Sequence, residues 1–284
     1  MRCAWQEYLH ILPPWMRQDV DRQGRDTLQE FRLRIGQYPE MIFQNRNEKL
    51  FQKATKEDLD FVINVASEFS PWAAGTIADG FITGQGGHRI GICGAGVNHN
   101  GRISGITQPS ALCIRVARDF IGIAEAATQI SGSILIIGPP GCGKTTLLRD
   151  LIRQKSNHGK GSVSVVDERE EIFPVLKGQA CFLTGERTDI LTGYPKAKGI
   201  ETVLRCMSPE WIAVDEITAA EDCQALLHAG WCGVHLLATA HAGSVKDLQT
   251  RPIYQPLIKN QLFSTVLVLQ KDKSWKTERM DLCH

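Results

Sequence analysis

Apolar and polar residues alternate in Phe31-Arg32-Leu33-Arg34-Ile35, within the segment 27–43. That two-residue period predicts a half-buried strand. A helical period follows, with Leu59, Val62, Ile63, Ala66 and Phe69 recurring three or four positions apart. It begins behind Thr55-Lys56-Glu57-Asp58, whose threonine and acid three positions on resemble a capping arrangement. Ser70-Pro71 predicts the end of that helix, because the residue before a proline is pushed out of the helical region. Residues 88–116 return to short strands. Arg89-Ile90-Gly91-Ile92 and Arg102-Ile103-Ser104-Gly105-Ile106 flank Asn98-His99-Asn100-Gly101, a strong turn signal. Leu112-Cys113-Ile114-Arg115-Val116 supplies a third strand. These elements predict a small α+β domain over residues 1–127.

Beyond it the pattern changes. Residues 119–130 predict a short apolar helix that ends at Ser131-Gly132. Strand, loop and helix then repeat. Strands are expected at Ile134–Ile137, Val163–Val166, Trp211–Val214, Val234–Ala238 and Val266–Leu269, with helices at 144–154, 196–207 and 219–229. Ser208-Pro209 closes the second of these helices. The strands are apolar throughout instead of alternating, which indicates a mainly parallel sheet covered on both faces. Residues 128–284 therefore read as an α/β domain, with no internal repeat and no low-complexity segment.

Composition narrows the class without choosing a function. The chain has 284 residues, 43% of them hydrophobic and 22% charged, near the globular average. Its 32 basic residues nearly cancel 31 acidic ones, so no overall field points to nucleic acid or to a membrane surface. No run of about 18 apolar residues predicts a spanning helix, and the start, MRCAWQEYLHILPPWM, does not read as a secretory signal. Nine cysteines are scattered singly, none in a CxxC pair or in zinc-ligand spacing. That usage suits reduced thiols in a cytosol.

Chemistry enters at Gly138-Pro139-Pro140-Gly141-Cys142-Gly143-Lys144-Thr145, which matches G-x-x-x-x-G-K-[ST] and is followed by Thr146. Glycines allow backbone N–H groups to turn toward phosphate oxygens. The helix that follows points its positive end at the same anions. Lys144 would neutralise the β and γ phosphates of ATP, and the Thr145 hydroxyl would ligate Mg2+. The loop follows an apolar strand and opens a helix, as a P-loop must. Cys142 occupies an unconstrained position of the motif and fills space; a helix N-terminus can also lower a thiol pKa, which would expose it to alkylation.

Trp211-Ile212-Ala213-Val214-Asp215-Glu216 is a buried strand that ends in two acids, 71 positions after Lys144. Such a strand delivers its carboxylates to the carboxyl edge of the sheet, where the P-loop lies. Asp215 would hold the magnesium through water, and Glu216 would orient and deprotonate the attacking water. Val165-Val166-Asp167-Glu168-Arg169-Glu170-Glu171 also runs from a strand into acids. This strand is expected beside the P-loop strand, so that Glu168 or Glu170 faces the γ-phosphate; the alternative is a solvated charge run. Leu236-Leu237-Ala238-Thr239-Ala240-His241 ends in two groups able to sense the γ-phosphate by hydrogen bonding.

The segments GPPGCGKTTLLRD, VVDERE, YPKAKGIETVLRCMSPEWIAVDEI and ATAHAGSVKDL occur in the order and spacing of the stage III sporulation protein AA family. FRLRIGQYPE, GGHRIGICGAG and GITQPSALCIRVARD extend the resemblance to nearly the whole chain. That family resembles the ATPases of type II and type IV secretion and of pilus assembly. The resemblance implies a RecA-like P-loop NTPase domain behind a small α+β N-terminal domain. It implies a cytoplasmic, homo-oligomeric ring, a hexamer, that docks on membrane-embedded channel proteins between mother cell and forespore and spends ATP on assembly or transport there. By position, Glu168 and Glu170 fall in the acidic box of the secretion ATPases, and His241 in their histidine box. Arg115, Arg118, Arg187 and Arg205 are candidates to reach a neighbouring subunit's nucleotide. The acidic box is short, and the tetracysteine insert of some type II members is missing.

Competing readings differ in what they require. An ABC-type ATPase needs an LSGGQ-like signature, which Leu191-Thr192-Gly193-Tyr194-Pro195 imitates poorly. A standard AAA+ protein needs a helical lid, yet only 43 residues follow His241. The alternative from another class is a nucleotide-binding scaffold or nucleic-acid-associated regulator with little hydrolysis, and the net charge of +1 gives nucleic acid little to bind.

Overall fold

The computed structural model describes residues 1–68, 80–99 and 102–280. Phe69, the Ser70-Pro71 stop and the Asn100-Gly101 half of the expected turn lie outside the described residues. The chain divides into two compact units, Met1–Asp119 with Leu176–Phe182, and Phe120–Val175 with Leu183–His284.

In the first unit six antiparallel strands are ordered β3-β2-β1-β6-β5-β4, where β1 is Glu30–Arg34, β2 Glu40–Ile42, β3 Asn47–Lys49, β4 Phe81–Thr83, β5 Arg89–His99 and β6 Arg102–Arg115. The alternation read in β1 is a burial pattern: Phe31 and Leu33 are fully buried among Tyr8, Leu12, Met16 and Leu59. Helices Trp5–Ile11, Pro14–Gly24 and Lys56–Ala66 supply the rest of this core. The capping arrangement forms as read: Asp58 N–H donates to Thr55 Oγ1 at 3.3 Å, and Thr55 N–H donates to Asp58 Oδ2 at 2.9 Å. The expected third strand at 112–116 is not separate. It is the end of β6, which stays paired with β5 because its polar interruption is absorbed as a bulge: the step Cys93–Ala95 faces the longer step Thr107–Ala111, and Gln108 takes φ +48°.

The second unit carries the sheet that holds the candidate site residues. Its strands are β7 (Ile134–Ile137), β8 (Val163–Asp167), β11 (Thr188–Thr192), β12 (Trp211–Val214), β13 (His235–Ala240), β14 (Thr265–Leu269) and β15 (Trp275–Arg279); β9 (Val175–Leu176) and β10 (Gln179–Ala180) form a separate two-stranded ladder that, beyond Val175, belongs to the first unit. The order is β11-β8-β12-β13-β7-β14-β15, parallel except for the β14–β15 hairpin. The mainly parallel sheet expected from the apolar strands is present, and every residue of β7, β8 and β12 is buried. Helices Lys144–His158, Lys196–Cys206, Ala220–Trp231, Val245–Thr250 and Gln255–Lys259 connect and cover it.

Two expectations are corrected. The β8 strand does not lie beside the P-loop strand β7, because β12 and β13 stand between them. Both ladder edges of β7 are taken by apolar strands with their own parallel registers, β13 through Ala238↔Leu135 and β14 through Val266↔Leu135. Residues 119–130 are not a helix; they hold one 3₁₀ turn, Glu125–Ala127. Gly122 adopts φ +87°, and the buried Asp150 carboxylate draws the N–H groups of Gly122 (3.1 Å) and Ala124 (2.7 Å) to itself, so those donors are not available to a helical ladder.

Candidate phosphate and metal site

Three neighbouring parallel strands, β12, β13 and β7, end at one edge of the sheet, and the residues read as chemical sit just beyond their carboxyl ends. After β7 the chain turns through Gly141 at φ +74° and Gly143 at φ +101°, then enters the helix at Lys144. Only a hydrogen fits at Gly138, where a Cβ would stand 2.7 Å from Cys142 Sγ and 2.9 Å from the Leu269 carbonyl. Cys142 is buried and packs the underside of the loop.

Lys144 is 7% exposed. Its ammonium donates to the carbonyls of Gly138 (3.0 Å) and Pro139 (3.1 Å) and to His241 Nδ1 (3.1 Å). A phosphate oxygen would replace such partners with a full negative charge, a stronger acceptor. Thr145 Oγ1 donates to Asp215 Oδ2 at 2.6 Å, and the Thr239 hydroxyl donates to Asp215 Oδ1. Thr239 is completely buried and lies within β13, which runs two residues past its expected end, to Ala240. The same hydroxyl accepts the N–H of Glu216 at 2.8 Å. Glu216 takes φ +50°, rare for a residue with a Cβ, and its Oε1 lies 2.8 Å from His241 Nε2.

The acidic segment folds around a residue that was not singled out. Asp167, 2% exposed, accepts N–H groups from Glu171 (2.9 Å), Ile172 (2.9 Å) and Phe173 (2.8 Å). Burial pushes its carboxyl up to about 6; the three N–H donors oppose that rise, and the Asp215 carboxylate adds to it. Arg149, from the P-loop helix, donates to the carbonyls of Glu171 and Ile172. Glu168 reaches a small cavity of about 30 Å³ walled also by Arg169, Lys196, Asp215, Glu216 and Thr218; Glu170, in a turn at φ +54°, is not part of that wall. Lys196, also unread in the sequence, is buried with its Nζ 2.6 Å from the Glu216 carbonyl. Its one sequence signal is a lysine directly behind Pro195 at a helix start, where a cation is disfavoured.

A second cavity, about 250 Å³, opens beside the loop, lined by Phe120, Ile123, Cys142, Thr146, Leu269 and Trp275 among others. Of the four arginine candidates, Arg118 and Arg187 donate to carbonyls of Arg25 and Leu28, and of Asn157 and Gly159. Arg115 keeps a 62% exposed side chain beside Glu30, and Arg205 donates to the Glu201 carbonyl at the surface.

The donor set fits a hard cation. Thr145 and Asp215 place a hydroxyl and a carboxylate together, oxygen ligands suited to Mg2+ that completes its shell with water and phosphate. No group of three or more His, Cys, Asp or Glu able to cage a metal occurs among the described residues. The loop, with glycines at positive φ and a 15-residue helix behind it, fits a nucleotide's phosphates.

The sheet order and this edge define a RecA-like P-loop NTPase fold. The X-ray structure of the Legionella pneumophila ATPase DotB superposes with TM-score 0.57 at 16% identity, covering 94% of this chain and 80% of that one. The pilus retraction motor PilT with bound ADP superposes with TM-score 0.62 at 16% identity, covering 89% and 76%. The chain belongs to the family described as Sporulation stage III, protein AA, whose model matches residues 5–279. Stage III sporulation protein AA of Bacillus subtilis (strain 168) is 36% identical over 280 residues, 94% of this chain and 91% of that protein. Among the described residues no helix is long and apolar enough to cross a membrane.

Proposed function

We propose that this chain binds Mg-ATP at residues 138–146 and hydrolyses it, and that turnover drives assembly of, or transport through, a channel complex between mother cell and forespore. The observation that carries the reading is the meeting of Lys144, Thr145, Asp215, Glu216 and His241 beyond three adjacent strands. Phosphoryl transfer asks for positioned charge more than covalent help. The amides of Gly138, Pro139, Pro140, Gly141, Cys142 and Gly143 are not equivalent donors, since both prolines lack an N–H; the glycines and Cys142 supply the cradle. Lys144 turns from its loop carbonyls to the β and γ phosphates, and Thr146 borders the cavity that takes the nucleoside. Thr145 and Asp215 would hold magnesium, which would supply neutralisation of phosphate charge. Glu216 takes the proton of the attacking water at its carboxylate, and the His241 Nε2–H holds that carboxylate in place. Glu168, which walls the cavity together with Asp215 and Glu216, acts as the acidic box on the metal side.

The working form is a cytoplasmic homo-oligomeric ring, a hexamer, on the mother-cell face of membrane-embedded channel proteins, with no nucleic acid involved. Arg115 and Arg205 are the arginines best suited to reach a neighbouring subunit's γ-phosphate. Phosphate release measured across a hundredfold range of protein concentration, with particle mass taken with and without a non-hydrolysable ATP analogue, tests this. Specific activity that climbs with concentration, alongside a multimeric mass, is expected. Tight Mg-ATP binding without turnover at any concentration would favour the scaffold reading, and no Mg-ATP or Mg-ADP binding by folded protein would remove both.

A further inference from the structure

Lys196 stands where a lysine is costly. It is the first residue of helix Lys196–Cys206, so its charge faces the positive end of the helix dipole, and its side chain is only 8% exposed. Three oxygens offset that cost. The ammonium donates to the Glu216 carbonyl at 2.6 Å, lies 3.6 Å from Asp222 Oδ2, and lies 4.0 Å from Glu168 Oε2. Asp222 in turn accepts the N–H groups of Thr218 (3.2 Å) and Ala219 (3.1 Å). Lysine and aspartate therefore grip the turn after β12 from its two sides.

The turn needs that grip because Glu216 sits at φ +50°. Its N–H is tied to Thr239 Oγ1 (2.8 Å), and the next N–H, of Ile217, to the Thr239 carbonyl (2.9 Å). The carbonyl between them is the one that Lys196 holds. With the peptide groups on both sides of Glu216 fixed, the direction of its Cα–Cβ bond is fixed, and the carboxylate meets His241 Nε2. Take the ammonium away, and that carbonyl loses its donor. The 216–217 peptide then keeps only the Ile217 N–H tie to Thr239; with one of its two anchors gone, Glu216 relaxes toward the ordinary φ < 0 region and the carboxylate swings off the histidine.

We propose that Lys196 is a positioning residue for the hydrolytic step, holding Glu216 in the left-handed turn that aims its carboxylate. This rests on the reading of Glu216 as the general base. The test is a double-mutant cycle on the full chain, with Lys196→Met and Glu216→Gln alone and together, followed by single-turnover ATP hydrolysis and calorimetric Mg-ADP binding. Lys196→Met is expected to lower the hydrolysis rate at least 30-fold, with Mg-ADP affinity within threefold of the parent. Lys196→Arg, which keeps a donor and a charge, is expected to recover most of that loss. In the Glu216→Gln background, Lys196→Met should lower the residual rate by less than twofold. A parental rate in Lys196→Met, or an equal loss in both backgrounds, would overturn the proposal while leaving the base assignment standing. Parental hydrolysis by Glu216→Gln would overturn the base assignment and this inference with it. Should Lys196→Met not fold, Lys196→Gln, which drops the charge but stays polar, runs the same cycle: its loss of rate must vanish beside Glu216→Gln, and a parental rate or a loss that persists there overturns the idea.

Discussion

The imidazole of His241 places Nε2 2.8 Å from the Glu216 carboxylate, while its Nδ1 stands 3.1 Å from the Lys144 ammonium. An ammonium can only donate, so Nδ1 accepts and the proton of the neutral ring lies on Nε2, pointing at Glu216. His241 thus touches both the Lys144 ammonium, proposed to bind phosphate, and the Glu216 carboxylate, proposed as the base. Replacing it with alanine removes the hydrogen that orients Glu216. His241→Ala is expected to lower kcat by about tenfold to a hundredfold and to leave Mg-ADP affinity within threefold. Steady-state phosphate release with calorimetry checks it.

Glu216→Gln and Lys144→Ala should separate chemistry from binding. Glutamine keeps an oxygen for His241 Nε2–H but cannot take a proton from water. Hydrolysis is expected to drop by at least about a hundredfold with Mg-ATP affinity preserved. Lys144→Ala removes the ammonium and should abolish measurable Mg-ATP binding and turnover together. Equilibrium binding of a fluorescent ATP analogue to both variants distinguishes them.

Gly199 offers a stability test whose sign opposes helix propensity. It lies inside helix Lys196–Cys206, where alanine ordinarily gains up to about 1 kcal/mol over glycine. Here a Cβ would stand 2.4 Å from Val166 Cγ1 on β8. Gly199→Ala must push the helix off the strand, and a net loss of about 2 kcal/mol is expected. Urea unfolding gives the answer, and a gain in stability would contradict the close approach.

Acid should weaken one unit and strengthen part of the other. His88 is fully buried, its Nε2 2.8 Å from the Ala4 carbonyl and its Nδ1 accepting the Ala117 N–H at 3.0 Å. Burial lowers its pKa from 6.5 to about 4. A base with a lowered folded pKa contributes its full stability above pH 6.5, and loses it as pH falls from 6.5 toward 4. That loss amounts to about 3 kcal/mol. Asp167, raised from 3.8 to about 6, behaves oppositely. Its contribution is complete below 3.8 and disappears as pH rises through about 6, again about 3 kcal/mol. Hydrogen exchange corrected for intrinsic rates, at pH 6.5 and pH 4.5, should show protection falling around β1 and β6 and rising around β8. His88→Gln should flatten the first change.

What the sequence disclosed was local. The P-loop, the Thr55 capping box, the strand Trp211–Val214 and the acids after it are legible because each is a pattern within a few residues, and its physics is complete at that range. The position of β8 was not legible: the ladder partner of β7 is chosen by crossovers among strands of equal apolarity, so Glu168 and Glu170 were expected nearer the P-loop strand than the sheet order allows. Residues 119–130 carry helical composition, but the carboxylate of Asp150, more than 20 residues on, captures their N–H groups. Strands β11 and β15 went unread because edge strands need not be apolar; β15 is WKTER. Lys196 looked like an ordinary helix residue until the turn 20 positions later folded over it.

Both carboxylate oxygens of Asp215 are occupied by threonine hydroxyls, Thr145 on one side and Thr239 on the other. Each hydroxyl has a single proton, so Thr145 must turn its lone pairs away from the aspartate. The side chain is thereby polarised as an electron donor by the fold itself. A valine there would match its volume and its packing and would have nothing to offer a cation.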